Sequence, residues 1–213
     1  MNEFSSLLLL LVVLTDFVVL GTSRMSTCIR AIALQDLLLT ALPVSLDPRW
    51  SLHVAGLAVG TALVKAVALP GFLRWAIREA NVRREMEPLV GYVTSLLIGA
   101  AVVAGSFAVA PTLPLPGHAG SLLVAVALSN VLTGLVVLTS RLKALTQVVG
   151  YLMLENGIYV FGLTQTQRVP FLLEMGVLLD VFVGVFIMGI VVFHINREFD
   201  GMSAAADEEP EPS

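Results

Sequence analysis

Several ionisable side chains of this chain stand inside long apolar stretches, where charge is expensive. Asp180 lies near the middle of the run 171–193 and Glu155 in the middle of the run before it. Asp16, Asp36 and Lys65 interrupt three earlier runs. A carboxylate near the centre of a bilayer costs at least ~2.5–3.5 kcal/mol on insertion scales. Groups held there at that cost point to the uptake and release of protons or the passage of a cation.

The spacing around these groups separates chemistry from packing. Gly176, Asp180 and Gly184 recur every four residues and share one helix face. Small residues on either side of an acid admit a neighbouring helix, so the Asp180 carboxyl is expected to face protein. His194 follows on nearly the same face, about 40° off and ~21 Å further along at 1.5 Å per residue. An imidazole at that level either exchanges protons with bulk water or is a polar residue at the interface. Glu155 has Tyr151 and Tyr159 one turn away on either side and Asn156 next to it, which are partners for a buried carboxyl. Glu174 lies about 120° around the helix from Asp180. It reads as a residue at the mouth of a path or as a partner of Arg168. Lys65 either snorkels towards the cytoplasm or pairs with Asp16 or Asp36, and a lysine that changes carboxylate partners is an electrostatic switch. For Asp16 and Asp36, structural pairing with Arg30 or Lys65 stands beside a role in transport. Ser129, Asn130, Thr133 and Gly134 read first as helix packing.

These groups need a frame that places them in lipid. The chain has 213 residues, 57% of them hydrophobic and only 13% charged. A soluble domain carries about 25% charged residues. The apolar runs define an all-α, polytopic bundle of about seven transmembrane helices, with approximate limits 4–22, 27–45, 50–70, 89–110, 119–139, 147–164 and 170–195. Prolines, glycines and charges punctuate the breaks, including Pro43, Pro48, Pro70, Pro111, Pro114 and Pro170. The N-terminal run follows Glu3, lacks a basic leader and a small-residue cleavage site, and so reads as a first span. With the N-terminus outside and the C-terminus cytoplasmic, Arg24, Arg30, Arg74, Arg78, Arg83, Arg84, Arg141, Lys143 and Arg197 all fall inside, against Arg49 and Arg168 outside. The stretch 71–87 continues the third span as a basic interfacial helix, with Trp75 at the interface and Glu79 placed to pair with Arg83. Residues 1–200 form one membrane domain, and 201–213 form a disordered acidic tail containing Asp207, Glu208, Glu209 and Glu211.

Composition also narrows the chemistry. Cys28 stands alone, so no internal disulfide forms, and a cysteine-ligated iron–sulfur or zinc site on this chain is not expected. His53, His118 and His194 lie far apart, which argues against a haem. No basic run with interleaved aromatics points to nucleic acid. No catalytic nucleophile and base are in view.

The stretch Gly150–Leu163 (GYLMLENGIYVFGL) and the stretch Pro170–Asp200, which opens PFLLEMGVLLDVFVG, resemble the membrane component E of hydrogenase-4 and its counterparts in formate hydrogenlyase complexes. The segment Lys65–Pro70 (KAVALP) is similar to that family too. The part 119–195 also resembles the three-helix K subunit of complex I and the C subunit of multisubunit cation/proton antiporters. That family has a proton-moving glutamate in each of its last two helices. Asp180 stands at the position of the last, one methylene shorter. Glu155 directly precedes Asn156, whereas the family's glutamate lies a turn before its asparagine. The resemblance implies a non-catalytic subunit in a bacterial or archaeal cell membrane. Its implied partners are antiporter-like membrane subunits, a membrane anchor and a cytoplasmic redox arm. Nickel–iron and iron–sulfur centres would then lie only in those partners, with no cofactor on this chain. The readings that compete with it are a stand-alone or antiporter-type cation/proton transporter and a purely structural scaffold.

Overall fold

The computed structural model describes residues 2–46, 59–60, 63–79, 90–113, 121–141, 144–164 and 182–189. Helices α1 (Glu3–Gly21) and α2 (Met25–Leu46) form an antiparallel hairpin. A π-helical turn (Leu63–Ala68) runs into α3 (Leu69–Glu79). Then follow α4 (Tyr92–Val109) with a 3-10 turn (Ala110–Thr112), α5 (Ser121–Ser140), α6 (Ala144–Leu163) and a helical segment, α7 (182–189). Among the described residues there is no strand. The first, second, fourth, fifth and sixth expected spans match α1, α2, α4, α5 and α6 to within three residues at each end. Among the described residues, four helical stretches are long and apolar enough to cross a membrane: Glu3–Gly21, Met25–Leu46, Tyr92–Thr112 and Leu122–Ser140.

The surface is what a lipid solvent requires. On α1, Leu7, Leu10, Leu14 and Val18 point outward, while Thr15 and Asp16 are buried. A helix that is apolar all round has no reason to prefer one face by hydrophobicity, so polar groups and shape decide which face turns in. Helix α4 shows the same inversion. It buries Ser95, Gly99 and Ser106 and exposes Val93, Leu97, Phe107 and Val109.

Glycine sets the tightest seam. A β-carbon at Gly134 on α5 would stand 2.5 Å from the Leu154 nitrogen on α6. One at Gly150 would stand 2.5 Å from the Leu138 nitrogen, and one at Gly157 2.5 Å from that of Val131. Only hydrogen fits there, so α5 and α6 meet backbone to backbone along most of their length.

The π turn has a local cause. Pro70 has no N–H, and its ring crowds the carbonyl four residues before it. Widening the preceding turn accommodates both, and single π turns of this kind recur at functional sites. Beyond it α3 is amphipathic. Leu69, Leu73 and Ala76 pack inward, while Arg74, Trp75 and Arg78 face out, with Trp75 stacked on Phe72 at 5.3 Å. This fits the expected interfacial helix as far as Glu79; its continuation lies outside the described residues.

Among the described residues the core comes in two large apolar clusters and a small third one of Ala110, Val124 and Ala125. One joins Val19 and Leu20 of α1 to Cys28, Ile29 and Ile32 of α2, to Leu69, Leu73 and Ala76, and to Val148, Leu152, Val183 and Ile187. The other joins Leu8, Leu9, Val12 and Val13 of α1 to Leu39 and Leu42, Leu123 and Ala127, and Val160 and Leu163. On every long helix that contributes to both, the buried carboxyl and amide side chains (Asp16, Gln35, Asp36, Asn130, Glu155 and Asn156) lie between the two.

Candidate functional site

That middle layer is a single buried polar assembly. α1 supplies Thr15 and Asp16, α2 Gln35 and Asp36, α5 Ser129, Asn130 and Thr133, and α6 Glu155 and Asn156. The π turn supplies Lys65. All of these are buried.

Lys65 Nζ meets Glu155 Oε1 at 2.5 Å, joining residues 90 apart in sequence. This is the ion pair found among the described residues. Lys65 thus neither snorkels to the surface nor has Asp16 or Asp36 as its ion-pair partner. Asp36 still lies within electrostatic reach of both Lys65 and Glu155, and Tyr159 within reach of Lys65. A lysine on a π turn is held by a backbone ring one residue wider than its helical neighbours.

Two amides connect the carboxyl groups. Asn156 Nδ2 donates to Asp36 Oδ1 at 2.6 Å and to Gln35 Oε1 at 3.1 Å. Gln35 Nε2 in turn donates to Asp16 Oδ1 at 2.8 Å, with Thr15 Oγ1 and Asn130 Oδ1 each at 3.1 Å. The amide nitrogen has two hydrogens for these acceptors, so the bonds are shared, and the shortest goes to the carboxylate. The donors run from α6 to α2 and from α2 to α1, with a side branch from Gln35 to Asn130 on α5. Asp16, Asp36 and Glu155 therefore belong to one hydrogen-bonded and electrostatic unit that spans three long helices.

The unit retains unused capacity. Asp16 Oδ2, Glu155 Oε2, Asn130 Nδ2 and Thr133 Oγ1 are buried and lack a hydrogen-bond partner. A buried polar atom left unpaired costs about 1–3 kcal/mol, so these four are the least satisfied members of the layer. Among the described residues, no group of three His, Cys, Asp or Glu side chains is arranged to hold a metal ion.

Of the candidates read from the sequence, Asp16, Asp36, Lys65 and Glu155 thus come together. Asp180, Glu174, His194 and Gly176 lie outside the described residues. Gly184 lies on α7, and a β-carbon added to it would meet nothing within 4 Å among the described residues. The polar patch on α5 divides its work: Gly134 packs, Asn130 joins the network, and Ser129 bonds the Val126 carbonyl at 2.9 Å. Gln35 was not singled out in the sequence, although it adjoins Asp36 inside an apolar run. Arg141 reads there as one more cytoplasmic basic residue, yet its side chain is buried, with 1% of its surface exposed.

No family model matches the chain, and no solved structure does. The chain is 28% identical over 136 residues to hydrogenase-4 component E of Escherichia coli and of Shigella flexneri. That alignment covers 63% of this chain and 63% of the length of those relatives. Over 191 residues it is 34% identical to the uncharacterized protein Rv0085 of Mycobacterium tuberculosis, covering 88% of this chain and 86% of that one. With that identity sustained over nearly the full length of both, this helical membrane protein belongs to the same family as the mycobacterial protein.

Proposed function

We propose that the chain is a non-catalytic membrane subunit of a complex I-like, hydrogenase-type redox complex, and that its mid-bundle carboxyl groups carry protons. The similarity to hydrogenase-4 component E supports the first half. The observation that carries the second is the charge count of the buried layer among the described residues, three carboxyl groups (Asp16, Asp36, Glu155) against one ammonium (Lys65). With every group ionised, two negative charges would stand uncompensated among these buried side chains. Low-dielectric surroundings penalise that state strongly, and two protons relieve it. A layer able to hold a variable number of protons is a station for their passage.

In this reading the π turn lets Lys65 respond to the charge on Glu155 and Asp36, and the Gln35–Asn156 amides keep the carboxyl groups in register. Asp180, Glu174 and His194 extend the path, on the strength of the sequence alone. The chain crosses the cell membrane seven times with its N-terminus outside. Its partners are antiporter-like subunits, a membrane anchor and a redox arm that holds the metal centres.

Two measurements test this. Proteins that co-purify with the chain in mild detergent should include antiporter-like subunits and a redox arm; isolation as a monodisperse single protein that alone exchanges cations for protons would replace this reading with a stand-alone transporter. In vesicles holding the intact assembly, Glu155→Gln combined with Lys65→Gln should keep assembly and lower redox-coupled proton movement. Loss of assembly instead would assign the layer to scaffolding.

A further inference from the structure

The amides of the middle layer have a direction, and nearly every partner they touch is able to reverse it. Gln35 presents its nitrogen to Asp16 Oδ1 at 2.8 Å and to Thr15 Oγ1 and Asn130 Oδ1 at 3.1 Å each, and its oxygen to Asn156 Nδ2 at 3.1 Å. Asn156 Nδ2 also reaches Asp36 Oδ1 at 2.6 Å. An amide side chain carries two donors on one arm and an acceptor on the other, and a half-turn about its last bond exchanges them with almost no change of shape. A carboxylate accepts, a carboxylic acid donates, and a hydroxyl does either. Around Gln35 only the Val12 carbonyl has a fixed sense, and at 3.4 Å it is the longest of these contacts.

The two senses suit different proton counts. In the sense observed, N–H groups face Asp16 and Asp36, which suits two carboxylates. Asp16 Oδ2 is buried without a partner, so Oδ1 is the oxygen through which the amides sense a proton on Asp16. With a proton on Oδ1, Asp16 becomes a donor set against the Gln35 nitrogen, and two donors in contact oppose each other. Reversal of Gln35 removes the conflict. Its oxygen then accepts from Asp16, from the Thr15 hydroxyl and from Asn130 once that amide turns too. Asn130 Nδ2, buried without a partner in the observed sense, gains one. The reversed Gln35 nitrogen faces Asn156, which has to reverse as well and bring its oxygen to Asp36. Asp36 then needs a proton of its own to donate.

We propose that Gln35 and Asn156 are positioning residues that couple Asp16 to Asp36, so that the two carboxyl groups gain and lose their protons as a pair. The inference deepens the proton-carrying reading and rests on it. It also has a sign. Repulsion between two carboxylates spreads their titrations apart. The amide chain works the other way, because a proton on one carboxyl group turns the donors to suit a proton on the other, and such coupling is mutual. Of the other titratable groups, Lys65 and Glu155 lie within electrostatic reach of Asp36, and Tyr159 within reach of Lys65. Arg30 of α2 is exposed. α5 brings no titratable side chain, and α4 brings only Tyr92, against Arg141.

Infrared difference spectra of the full chain in phospholipid vesicles, recorded across pH, test it. The carboxylic-acid carbonyl bands of Asp16 and Asp36, assigned with Asp16→Asn and Asp36→Asn, should disappear in one transition with an apparent slope of about two protons, where independent groups give about one. The side-chain amide bands of Gln35 and Asn156 should shift over the same interval, which amides with a purely structural role do not do. Gln35→Leu should split the transition into two, each with a slope of about one. Should Gln35→Leu not fold, Asn156→Leu should split it in the same way. Two separate transitions in the unaltered chain overturn the coupling, as does a single steep transition in Gln35→Leu or Asn156→Leu. Carboxyl bands that stay fixed as pH changes overturn the proton-carrying reading and the coupling with it.

Discussion

The middle layer and the Arg141 end of the bundle both bury charge, and they treat it oppositely. In the middle, Lys65 has its counterion on Glu155, while Asp16 and Asp36 accept from amides placed by other helices. At the end, a guanidinium lies buried with one carbonyl, one aromatic face and no ion-pair partner among the described residues. The first arrangement is internally complete apart from a few orphan atoms. The second is a positive charge whose partner is not among the described side chains. The difference teaches how to read a buried ion in this protein. Inside the bundle it is a member of a network, and at the end it is held by one carbonyl and one aromatic face.

Stability measurements in detergent can break that contrast. The largest effect is expected from Glu155→Met alone, which strands the Lys65 ammonium and should cost about 3–5 kcal/mol. Adding Lys65→Met should return most of that loss, because an apolar pair replaces an ion pair of similar volume at little net cost. Chemical unfolding of the single and double variants reads both. Gly150→Leu should come next, at least about 1–3 kcal/mol, because the side chain has to displace the α5 backbone at Leu138. Gln35→Leu should cost about 1–3 kcal/mol by removing the donor to Asp16. Arg141→Met should have the opposite sign in lipid-free detergent, raising the unfolding midpoint, because it removes buried donors that lack a partner. If Arg141→Met destabilises the lipid-free chain as Glu155→Met does, the two regions are alike. Leu97→Ala, on the exposed face of α4, should stay within about 0.5 kcal/mol of the parent chain.

Much of the frame was legible in the sequence, because lipid allows few alternatives. Each backbone polar group in a bilayer needs an internal partner, so an apolar run such as 3–21 has to be helical. That Asp16, Asp36, Lys65 and Glu155 matter was legible for the same reason, since a charge in lipid is conspicuous. Their partners were not. Lys65 and Glu155 are 90 residues apart, and nothing in the spacing favours Glu155 over Asp16 or Asp36. Gln35 is uncharged and hardly disturbs the hydropathy of its run, so its place between Asp16 and Asn156 became visible only in three dimensions. Pro70 was visible as punctuation, but whether a helix answers a proline by ending, kinking or widening into a π turn depends on what packs beside it. Arg141 stands two residues before Lys143 in the sequence, and charge counting gives such a residue to the surface. Gly134 was read as packing, while the seam it forms with Gly150 and Gly157 depends on the pairing of α5 with α6.

The central claim concerns the carboxyl groups of the middle layer, and Asp36 offers the cleanest access to it. Asp36→Asn keeps an oxygen to accept from Asn156 but cannot exchange a proton. The decisive measurement is proton movement per redox turnover in sealed vesicles holding the complete assembly, with Asp36→Asn beside the unaltered chain. The account predicts full assembly, retained electron transfer and a loss of most of the coupled proton movement. Full assembly with proton movement unchanged would contradict it and leave the buried layer a structural joint.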